Sequence, residues 1–271
     1  MKNWFLLLAT AAFLFSCEKT VTLDLKQSEE KLVIEAQVTD QPGKQYVKIS
    51  KSVPFNGSGQ TPRVSGAIVS MEDDQGNSYE FEESSSGLYL PLVDFKGEVD
   101  REYTLTVSLD GQVYTASDRM HYVPPFDSLG VRLDEAEMQD PEEDNRYYEV
   151  LVYIKEPPAT TDYYLAKFYR DDKELNDNGE WVFVYDDFLL GEEIDALPFP
   201  YYYAEGEKAT VEMYSLSRSS YKYYLDILSN IDGDGGMFSG QPANIRSNIE
   251  GGAIGHFLVT SIAISEKMVG I

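Results

Sequence analysis

Cys17 is the residue whose chemistry the sequence specifies most narrowly, and it is the only cysteine among 271 residues. It follows an apolar stretch that ends in the run from Leu14 to Ser16, a pattern typical of the point at which bacterial lipoproteins are cleaved and acylated. Lys2, the apolar run and the small residue before the cysteine form the layout of a signal peptide. A spanning helix would need roughly 20 apolar residues, so this segment is too short to be an anchor by itself. The sequence predicts a signal peptide over residues 1–16 and lipidation of Cys17; the alternative is a soluble secretory signal with an incidental cysteine.

Nucleophilic catalysis needs a serine or cysteine brought together with a histidine and an acid. The chain offers two histidines, His121 and His256, and no G-x-S-x-G turn. Both histidines stand beside predicted strand ends and are interpreted as structural. Carboxylates are so abundant that no pair can be singled out as the acid and base of a glycosidase. We therefore predict no catalytic residues and no enzymatic activity, with a carbohydrate-active enzyme as the least favoured alternative.

No metal site and no cofactor are predicted. A zinc site would have to be built from two histidines and carboxylates, which is a weak donor set. The segment from Asp232 to Gly236 resembles the start of a calcium loop, but a glycine occupies its third ligand position and no closing glutamate follows at the right spacing. We interpret it as a turn, and Asn176 to Gly179 as a hairpin turn.

Tyrosine is the most suggestive residue type for binding, with 20 copies. Adjacent tyrosines within strands or a helix usually place one ring inward and one outward. The segment from Pro198 to Tyr203 differs, because it is punctuated by prolines, ends in three consecutive rings and has no clear periodicity. We interpret it as a stiff, exposed aromatic loop. The sequence predicts that Tyr201, Tyr202 and Tyr203 contribute to a ligand-binding or partner-binding surface.

The chain has 22 basic and 47 acidic residues, and this excess of negative charge limits the classes of partner it can bind. Phosphate binding draws on clustered lysine and arginine, so no nucleic acid partner is predicted. An acidic surface is repelled by anionic lipid, so attachment to the membrane is expected to come from acyl chains at Cys17. With a single cysteine, the chain cannot form an internal disulfide.

The first half of the chain carries patterns typical of β-strands, and these strands would position any functional site there. A tether over residues 17–30 precedes seven runs with period-2 character, at Leu32 to Val38, Val47 to Val53, Ala67 to Met71, Tyr79 to Glu82, Leu88 to Leu90, Tyr103 to Leu109 and Val113 to Ala116. Asp110-Gly111 is a strong signal for a two-residue hairpin. Seven strands at this spacing predict an immunoglobulin-like β-sandwich over residues 31–122.

The second half predicts a β-rich module over residues 126–271, divided from the first by Pro124-Pro125. Its one helix is expected near residues 217–230. Ser217 is a good N-cap, and Leu216 and Tyr221 are spaced to form a hydrophobic staple. A single final strand is expected over Phe257 to Ser265. The predicted fold class is therefore mainly β, with one packed α-helix.

Two parts of the chain resemble one family. They are the front end, with Cys17-Glu18-Lys19 and the run from Lys31 to Glu35, and the C-terminal run from Pro242 to Gly252, with Gly255 and Phe257 beyond it. In these parts the chain resembles a Bacteroidota outer-membrane lipoprotein family whose domain is catalogued as of unknown function. Members are often encoded beside TonB-dependent receptors, so the resemblance implies nutrient-uptake machinery and a TonB-dependent receptor as partner. It supplies no catalytic residues.

Together these features predict a non-enzymatic accessory lipoprotein that captures a substrate for, or docks onto, a TonB-dependent transporter. The expected location is the outer membrane, with a lipid anchor and exposure at the cell surface. The alternative is a structural or adhesive envelope protein that uses its β-sandwich as a spacer. The asparagines and glycines near the C-terminus are interpreted as structural, because asparagine bonds local backbone and glycine permits positive φ or close backbone approach. The alternative is that this glycine-rich corner contacts a ligand or partner.

Overall fold

Alternation of apolar and polar residues produces strands with one buried face. In the strand Leu32–Thr39 of the computed structural model, Ile34, Ala36 and Val38 are buried while Glu35 is exposed. The structure describes residues 30–53, 61–140, 145–155, 162–176, 182–185, 193–231 and 244–270, with backbone alone for 182–185 and 193–195. The described chain is mainly β, as predicted.

The elements are numbered in chain order. In the described residues the strands are β1 Leu32–Thr39, β2 Tyr46–Lys51, β3 Ile68–Asp73, β4 Ser78–Ser85, β5 Leu88–Pro91, β6 Glu102–Leu109, β7 Gln112–Arg119, β8 Phe126–Leu133, β9 Tyr148–Lys155, β10 Tyr163–Arg170, β11 Lys173–Leu175, β12 Val182–Tyr185, β13 Glu193–Tyr203, β14 Lys208–Leu216, β15 Ile254–Thr260 and β16 Ile262–Met268. The helix, α1, spans Arg218–Ile231.

The first sheet has eight strands in the order β15-β1-β2-β5-β4-β3-β6-β7. Its strands β1 to β7 lie where the seven period-2 runs predicted strands. The hairpin between β6 and β7 is also confirmed, because Asp110 and Gly111 both have positive φ, at 50° and 79°. Two positive φ values are the requirement of the two-residue turn that Asp-Gly favours.

The two edges of this sheet, β7 and β15, approach each other in a barrel-like arrangement. The backbone N–H of Val259 on β15 donates to Asp118 Oδ2 on β7 at 3.2 Å. An isolated bridge joins Thr115 to Glu250 nearby. The core enclosed by this sheet includes Ile249 and Phe257, which follow the predicted boundary by more than a hundred residues.

The division of the chain near residues 122–126 stays a prediction, and the sheet pairing adds a fact to it. Strand β7 ends at Arg119 and β8 begins at Phe126 in a different sheet. The first sheet nevertheless takes its edge strand β15 from the C-terminal end of the chain, in parallel pairing with β1. Residues 31–122 therefore do not supply every strand of that sheet.

The other two sheets share a second core. One has the order β11-β10-β14-β16, with β12 also paired to β10, and the other has the order β13-β9-β8. The side chains at their shared core include Val150, Phe168, Phe199, Tyr203 and Val211. Strands β8 and β13 flank β9 in the smaller of the two sheets.

The prediction of one final strand over Phe257 to Ser265 is wrong, because the chain forms two strands that break at Ser261. Ser261 is buried, and its N–H donates to Ser215 Oγ at 3.0 Å while its own hydroxyl donates to the His121 carbonyl at 2.7 Å. These bonds replace the strand ladder at the break. They let β15 join the first sheet and β16 join the second.

The helix begins where the sequence predicts. The Ser220 N–H donates to Ser217 Oγ at 3.2 Å, which is the bond expected of an N-cap residue. Tyr221 packs against the cluster that contains Leu216, as the staple requires. The helical spacing of Tyr221, Tyr224, Leu225 and Leu228 predicts one apolar stripe, but Leu225 is 38% exposed. Within the described residues, no helix has the length and apolar character needed to cross a membrane.

Candidate functional site

The first turn of α1 lies at the place where β7 meets β15, and a buried polar network joins the three elements. Ser220 Oγ donates to Asp118 Oδ2 at 2.9 Å and lies 2.8 Å from His256 Nε2. The hydroxyl of Ser217 also donates to Ser220 Oγ, at 3.1 Å. Ser220 is 0% exposed, and Asp118 and His256 are each 6% exposed.

These bonds determine which nitrogen of His256 carries the proton. An ionised Asp118 only accepts hydrogen bonds, so the single hydroxyl proton of Ser220 is directed to it. Ser220 Oγ therefore accepts from His256, which places the proton on Nε2 and leaves Nδ1 as an acceptor. In the described part of the chain, this buried Nδ1 has no hydrogen-bond partner.

Burial shifts the pKa of both ionisable groups in the network. Desolvation lowers the pKa of His256 from 6.5 to about 4, so its ring is neutral near neutral pH. Desolvation also raises the pKa of Asp118, and the hydrogen bonds from the Ser220 hydroxyl and the Val259 N–H oppose that increase. A neutral histidine therefore lies beside an aspartate whose Oδ2 accepts hydrogen bonds from two donors.

The network contains the three residue types of a hydrolytic triad in a different order. In a triad the histidine lies between the serine and the acid and removes the serine proton. Here Ser220 lies between Asp118 and His256, its proton is directed to the carboxylate, and its oxygen has no access to solvent. This geometry orders the junction of three elements and leaves no free nucleophile.

A cavity of about 360 Å³ opens beside this network, between the first turns of α1 and the segment that leads into β15. Its lining residues are Arg218, Ser219, Lys222, Tyr223, Arg246, Ser247, Asn248 and His256. Arg218 and Lys222 form no ion pair with the described residues, while Arg246 Nε lies 3.3 Å from Asp226 Oδ2. The lining thus brings three cationic side chains together in an acidic protein.

Tyr223 and His256 also line a second cavity, of about 270 Å³, between α1 and the first sheet. Their rings are stacked, with centroids 4.3 Å apart and planes inclined by 12°. Glu35, Tyr46 and Tyr224 contribute to the second cavity. The stacked pair is therefore shared by both cavities and holds the histidine ring in place.

The C-terminal motif positions the histidine through backbone geometry. Asn248 Nδ2 donates to the Phe257 carbonyl at 2.8 Å, and the Phe257 N–H donates to Asn248 Oδ1 at 2.9 Å. Gly255 has φ of +121°, and a Cβ at this position would lie 2.1 Å from the Ile34 carbonyl oxygen. Asn248 and Gly255 thus have the backbone roles that the sequence predicts for asparagine and glycine in this run. The close approach of β15 to β1 at Gly255 fixes the position of the next residue, His256.

The structure places the tyrosine triplet at the end of β13, next to the second core. Tyr203 is 0% exposed and belongs to that core. Tyr201 and Tyr202 are half-buried, and their hydroxyls donate to the Leu175 carbonyl and to Asp134 Oδ2, each at 3.0 Å. The segment is a strand with register shifts against β9, where the sequence suggested an aperiodic loop. Its role in binding stays a prediction.

The remaining candidates from the sequence are His121, Cys17 and the segment from Asp232 to Gly236. His121 takes part through its backbone carbonyl, which accepts from Ser215 Oγ and Ser261 Oγ. Cys17 and the segment from Asp232 to Gly236 lie outside the described residues. Across the described ranges, no group of three or more His, Cys, Asp or Glu side chains is arranged to hold a metal ion.

Sequence reasoning missed the cavity and its polar network. Arg218 and Lys222 stand four residues apart at the start of a predicted helix, so their shared face was visible in the sequence. Their meeting with Arg246 was not, because it depends on the path of the chain back to the helix. Ser220 and Asp118 are 102 residues apart, and no local pattern relates them.

Comparisons with known proteins identify a family and include a weak structural likeness. A family model described as "Domain of unknown function (DUF4249)" matches residues 18–265. No curated protein matches the chain. Among solved structures, the chain is similar to the crystal structure of a DUF4785 family protein from Legionella pneumophila, with 8% identity and a TM-score of 0.24. That likeness covers 68% of this chain, which spans about half (52%) of the Legionella chain.

Proposed function

From the premise that this chain belongs to the DUF4249 family, we propose that it is a non-enzymatic accessory lipoprotein of the outer membrane. In this proposal it captures a substrate for, or docks onto, a TonB-dependent transporter of a Bacteroidota bacterium. The observation that carries the proposal is the cavity at the start of α1, which is lined by cationic side chains. The hydroxyl beside it, that of Ser220, donates its proton to Asp118 and is therefore not free to act as a nucleophile. These features favour a site that binds a ligand.

The chemistry of the lining supports binding in preference to turnover. Ser220 donates its proton to a carboxylate and has no solvent access, so it is not activated for attack. The pKa of His256 is lowered to about 4, which makes it a poor base near neutral pH. The lining groups that remain are cationic, hydroxyl, amide and aromatic groups, which recognise a ligand without changing it.

The immunoglobulin-like character of residues 31–122 belongs to the same proposal. Seven strands within this range support it, with two-residue connections between β4 and β5 and between β6 and β7. Strand β15, paired in parallel with β1, would then be an addition to the sandwich that carries His256 to the cavity.

Attachment to the membrane is tested at Cys17. Cys17→Ala is expected to abolish acylation and to release the protein from the membrane fraction, because the acyl chains supply the apolar area that holds it there. Fractionation with carbonate washing, followed by mass spectrometry of the N-terminal peptide, measures both effects. A Cys17→Ala protein that stays in the washed membrane would contradict the lipoprotein assignment.

Association with a transporter is tested by crosslinked pull-down from native membranes, with the tyrosine variants as probes. Tyr201→Ala or Tyr202→Ala is expected to weaken association with the transporter by about 2 kcal/mol. Both rings are half-buried and hydrogen-bonded, so each variant is also expected to lose stability, but less than Tyr203→Ala. Tyr203→Ala is expected to cost about 3 to 5 kcal/mol of folding stability, because its ring is fully buried.

Tyr122→Ala is the matched control, since Tyr122 is a tyrosine with 49% exposure outside this segment. It is expected to change neither recovery nor stability. Loss of stability in all three triplet variants, with transporter recovery intact for the folded fraction, would remove the triplet from the contact surface. Recovery of envelope adhesion partners in place of a transporter would favour a structural or adhesive role.

A further inference from the structure

We propose that the cavity between α1 and the first sheet binds a small organic cation whose charge is spread over methyl groups, as in a quaternary ammonium ion. Its recognition groups are the carboxylate of Glu35 and the rings of Tyr46, Tyr223 and Tyr224, all of which line this cavity. The site is additional to the proposed function, which rests on the cationic cavity beside the first turns of α1.

The lining of this cavity carries a single negative charge near neutral pH. Among the described residues that line it, Glu35 is the one charged group, because the ring of His256 is neutral there. Glu35 is exposed, so a ligand can reach its carboxylate. It forms no side-chain hydrogen bond or ion pair with the described part of the chain. A cleft lined by one sign of charge attracts ligands of the opposite sign.

The position of Lys48 is a second observation that points to a cation. Lys48 stands directly opposite Glu35 in the antiparallel pairing of β1 with β2, where an ion pair between them would be expected. Its ammonium lies instead over the ring of Tyr46, 4.4 Å from the centroid. A ring that lines the cavity therefore already attracts an ammonium group, as the negative face of an aromatic ring does within about 6 Å. Lys48 does not itself line the cavity.

The three tyrosine rings lie within the electrostatic reach of Glu35. Tyr223 and Tyr224 are arranged edge to face, with centroids 5.3 Å apart and planes inclined by 75°. Burial raises the pKa of Tyr46, Tyr223 and Tyr224, and the nearby Glu35 carboxylate contributes to each increase. The negative potential that opposes ionisation of these hydroxyls is the same potential that favours a cation between the rings.

The remaining lining and the size of the cavity favour a small, methylated cation. Ala36, Ile227 and Leu258 supply apolar surface for methyl groups. A quaternary ammonium has no N–H donor to satisfy, whereas a primary ammonium is strongly hydrated and would lose that hydration on entry. A volume of about 270 Å³ lies just below the usual range for drug-sized ligands, so it suits a smaller molecule.

The test is calorimetric titration of the purified protein with three probes of similar size. Choline carries a quaternary ammonium, 3,3-dimethyl-1-butanol has the same shape with carbon in place of the charged nitrogen, and ethanolamine carries a primary ammonium. Saturable binding of choline is expected. The neutral alcohol is expected to bind at least about tenfold more weakly, because it lacks the charge, and ethanolamine at least about threefold more weakly, because it is more strongly hydrated.

A charge variant locates the binding in the cavity. Glu35→Gln is expected to weaken choline binding by at least about fivefold, because it removes the negative charge and keeps the shape of the side chain. The matched control is Glu82→Gln, which removes the same charge from an exposed position on β4 of the same sheet, outside the cavity. It is expected to bind choline as the wild type does.

A ring variant tests the aromatic part of the site. Tyr46→Leu is expected to weaken choline binding by at least about threefold, because it keeps apolar area but removes the ring face. The control is Tyr122→Leu, since Tyr122 is 49% exposed and does not line the cavity. Thermal melts of all four variants verify that the proteins titrated are folded.

The site would be ruled out by the absence of saturable choline binding, or by equal affinity in Glu35→Gln and Glu82→Gln. Binding of the neutral alcohol as tightly as choline would show that charge plays no part. Binding of ethanolamine as tightly as choline would contradict a preference for a methylated cation. The titrations contain no membrane and no transporter, so their outcome is separate from that of the pull-down that tests the transporter association.

Discussion

Gly255→Ala is expected to lower the free energy of unfolding by about 3 to 5 kcal/mol, since it combines backbone strain with overpacking. Gly255 has φ of +121°, which L side chains rarely adopt, and its Cα faces the backbone of β1. A Cβ there would lie 2.1 Å from the Ile34 carbonyl oxygen and 2.8 Å from its carbonyl carbon. Backbone atoms cannot move aside as a flexible side chain can, so β15 would have to separate from β1.

The matched control is Gly252→Ala. Gly252 also has a positive φ, +96°, but a Cβ there meets nothing within 4 Å. It is expected to cost only about 1 to 2 kcal/mol, which is the conformational term alone. Denaturant unfolding of both variants measures the difference. Equal losses in the two proteins would show that the parallel contact between β1 and β15 does not limit stability.

Acidification is expected to remove about 3 kcal/mol of stability through His256, the free energy that corresponds to a pKa of about 4 against an ordinary 6.5. Because the folded-state pKa is the lower one, the unfolded chain takes up the proton first as the pH falls. The contribution is therefore complete above the unfolded pKa and is lost as the pH falls from about 6.5 through about 4.

The comparison with His256→Gln isolates this effect, because glutamine can still donate to Ser220 Oγ but does not titrate. The control is needed because Asp118 has a raised pKa and therefore acts in the opposite direction, losing stability as the pH rises above its ordinary value. Arg218, Lys222 and Arg246 line the same cavity as His256, and Glu35 lines the second cavity.

Denaturant unfolding near pH 7, 5.5 and 4 provides the measurement, with stability in the wild type expected to fall more steeply than in His256→Gln by about 3 kcal/mol over this range. Parallel curves for the two proteins would mean that the histidine is protonated as readily in the folded state as in the unfolded state. The buried Nδ1 would then have a partner under those conditions.

Both predictions concern one junction. Gly255 allows β15 to reach β1, and the next residue, His256, then reaches Ser220 on α1 and the cavity beside it. Asp118 joins the same helix to the opposite edge of the sheet. The cation-lined cavity therefore adjoins the junction of β7, β15 and α1, where hydrogen bonds between these elements hold its lining residues in position.

Local features of this protein follow from its sequence alone. Period-2 alternation predicted β1 to β7, because the pleat of a strand sends successive side chains to opposite faces whatever the strand pairs with. Asp110-Gly111 predicted its hairpin, and Ser217 predicted the start of α1, since each depends on backbone geometry within a few residues. The resemblance to a family with a domain of unknown function also came from the sequence, and a family model of that kind matches residues 18–265.

The tertiary structure decided what depends on residues far apart in the chain. The predicted final strand is divided at Ser261 because its N–H and hydroxyl find partners in Ser215 and His121, which no local pattern reveals. Tyr203 is buried because β13 pairs with β9, although prolines and three adjacent rings suggested an exposed loop. The cavity arises where Arg246 and His256 return to the first turn of α1. The pattern of a strand determines which of its faces is buried. Which buried and charged side chains come into contact depends on how the strands and sheets pair in the folded chain.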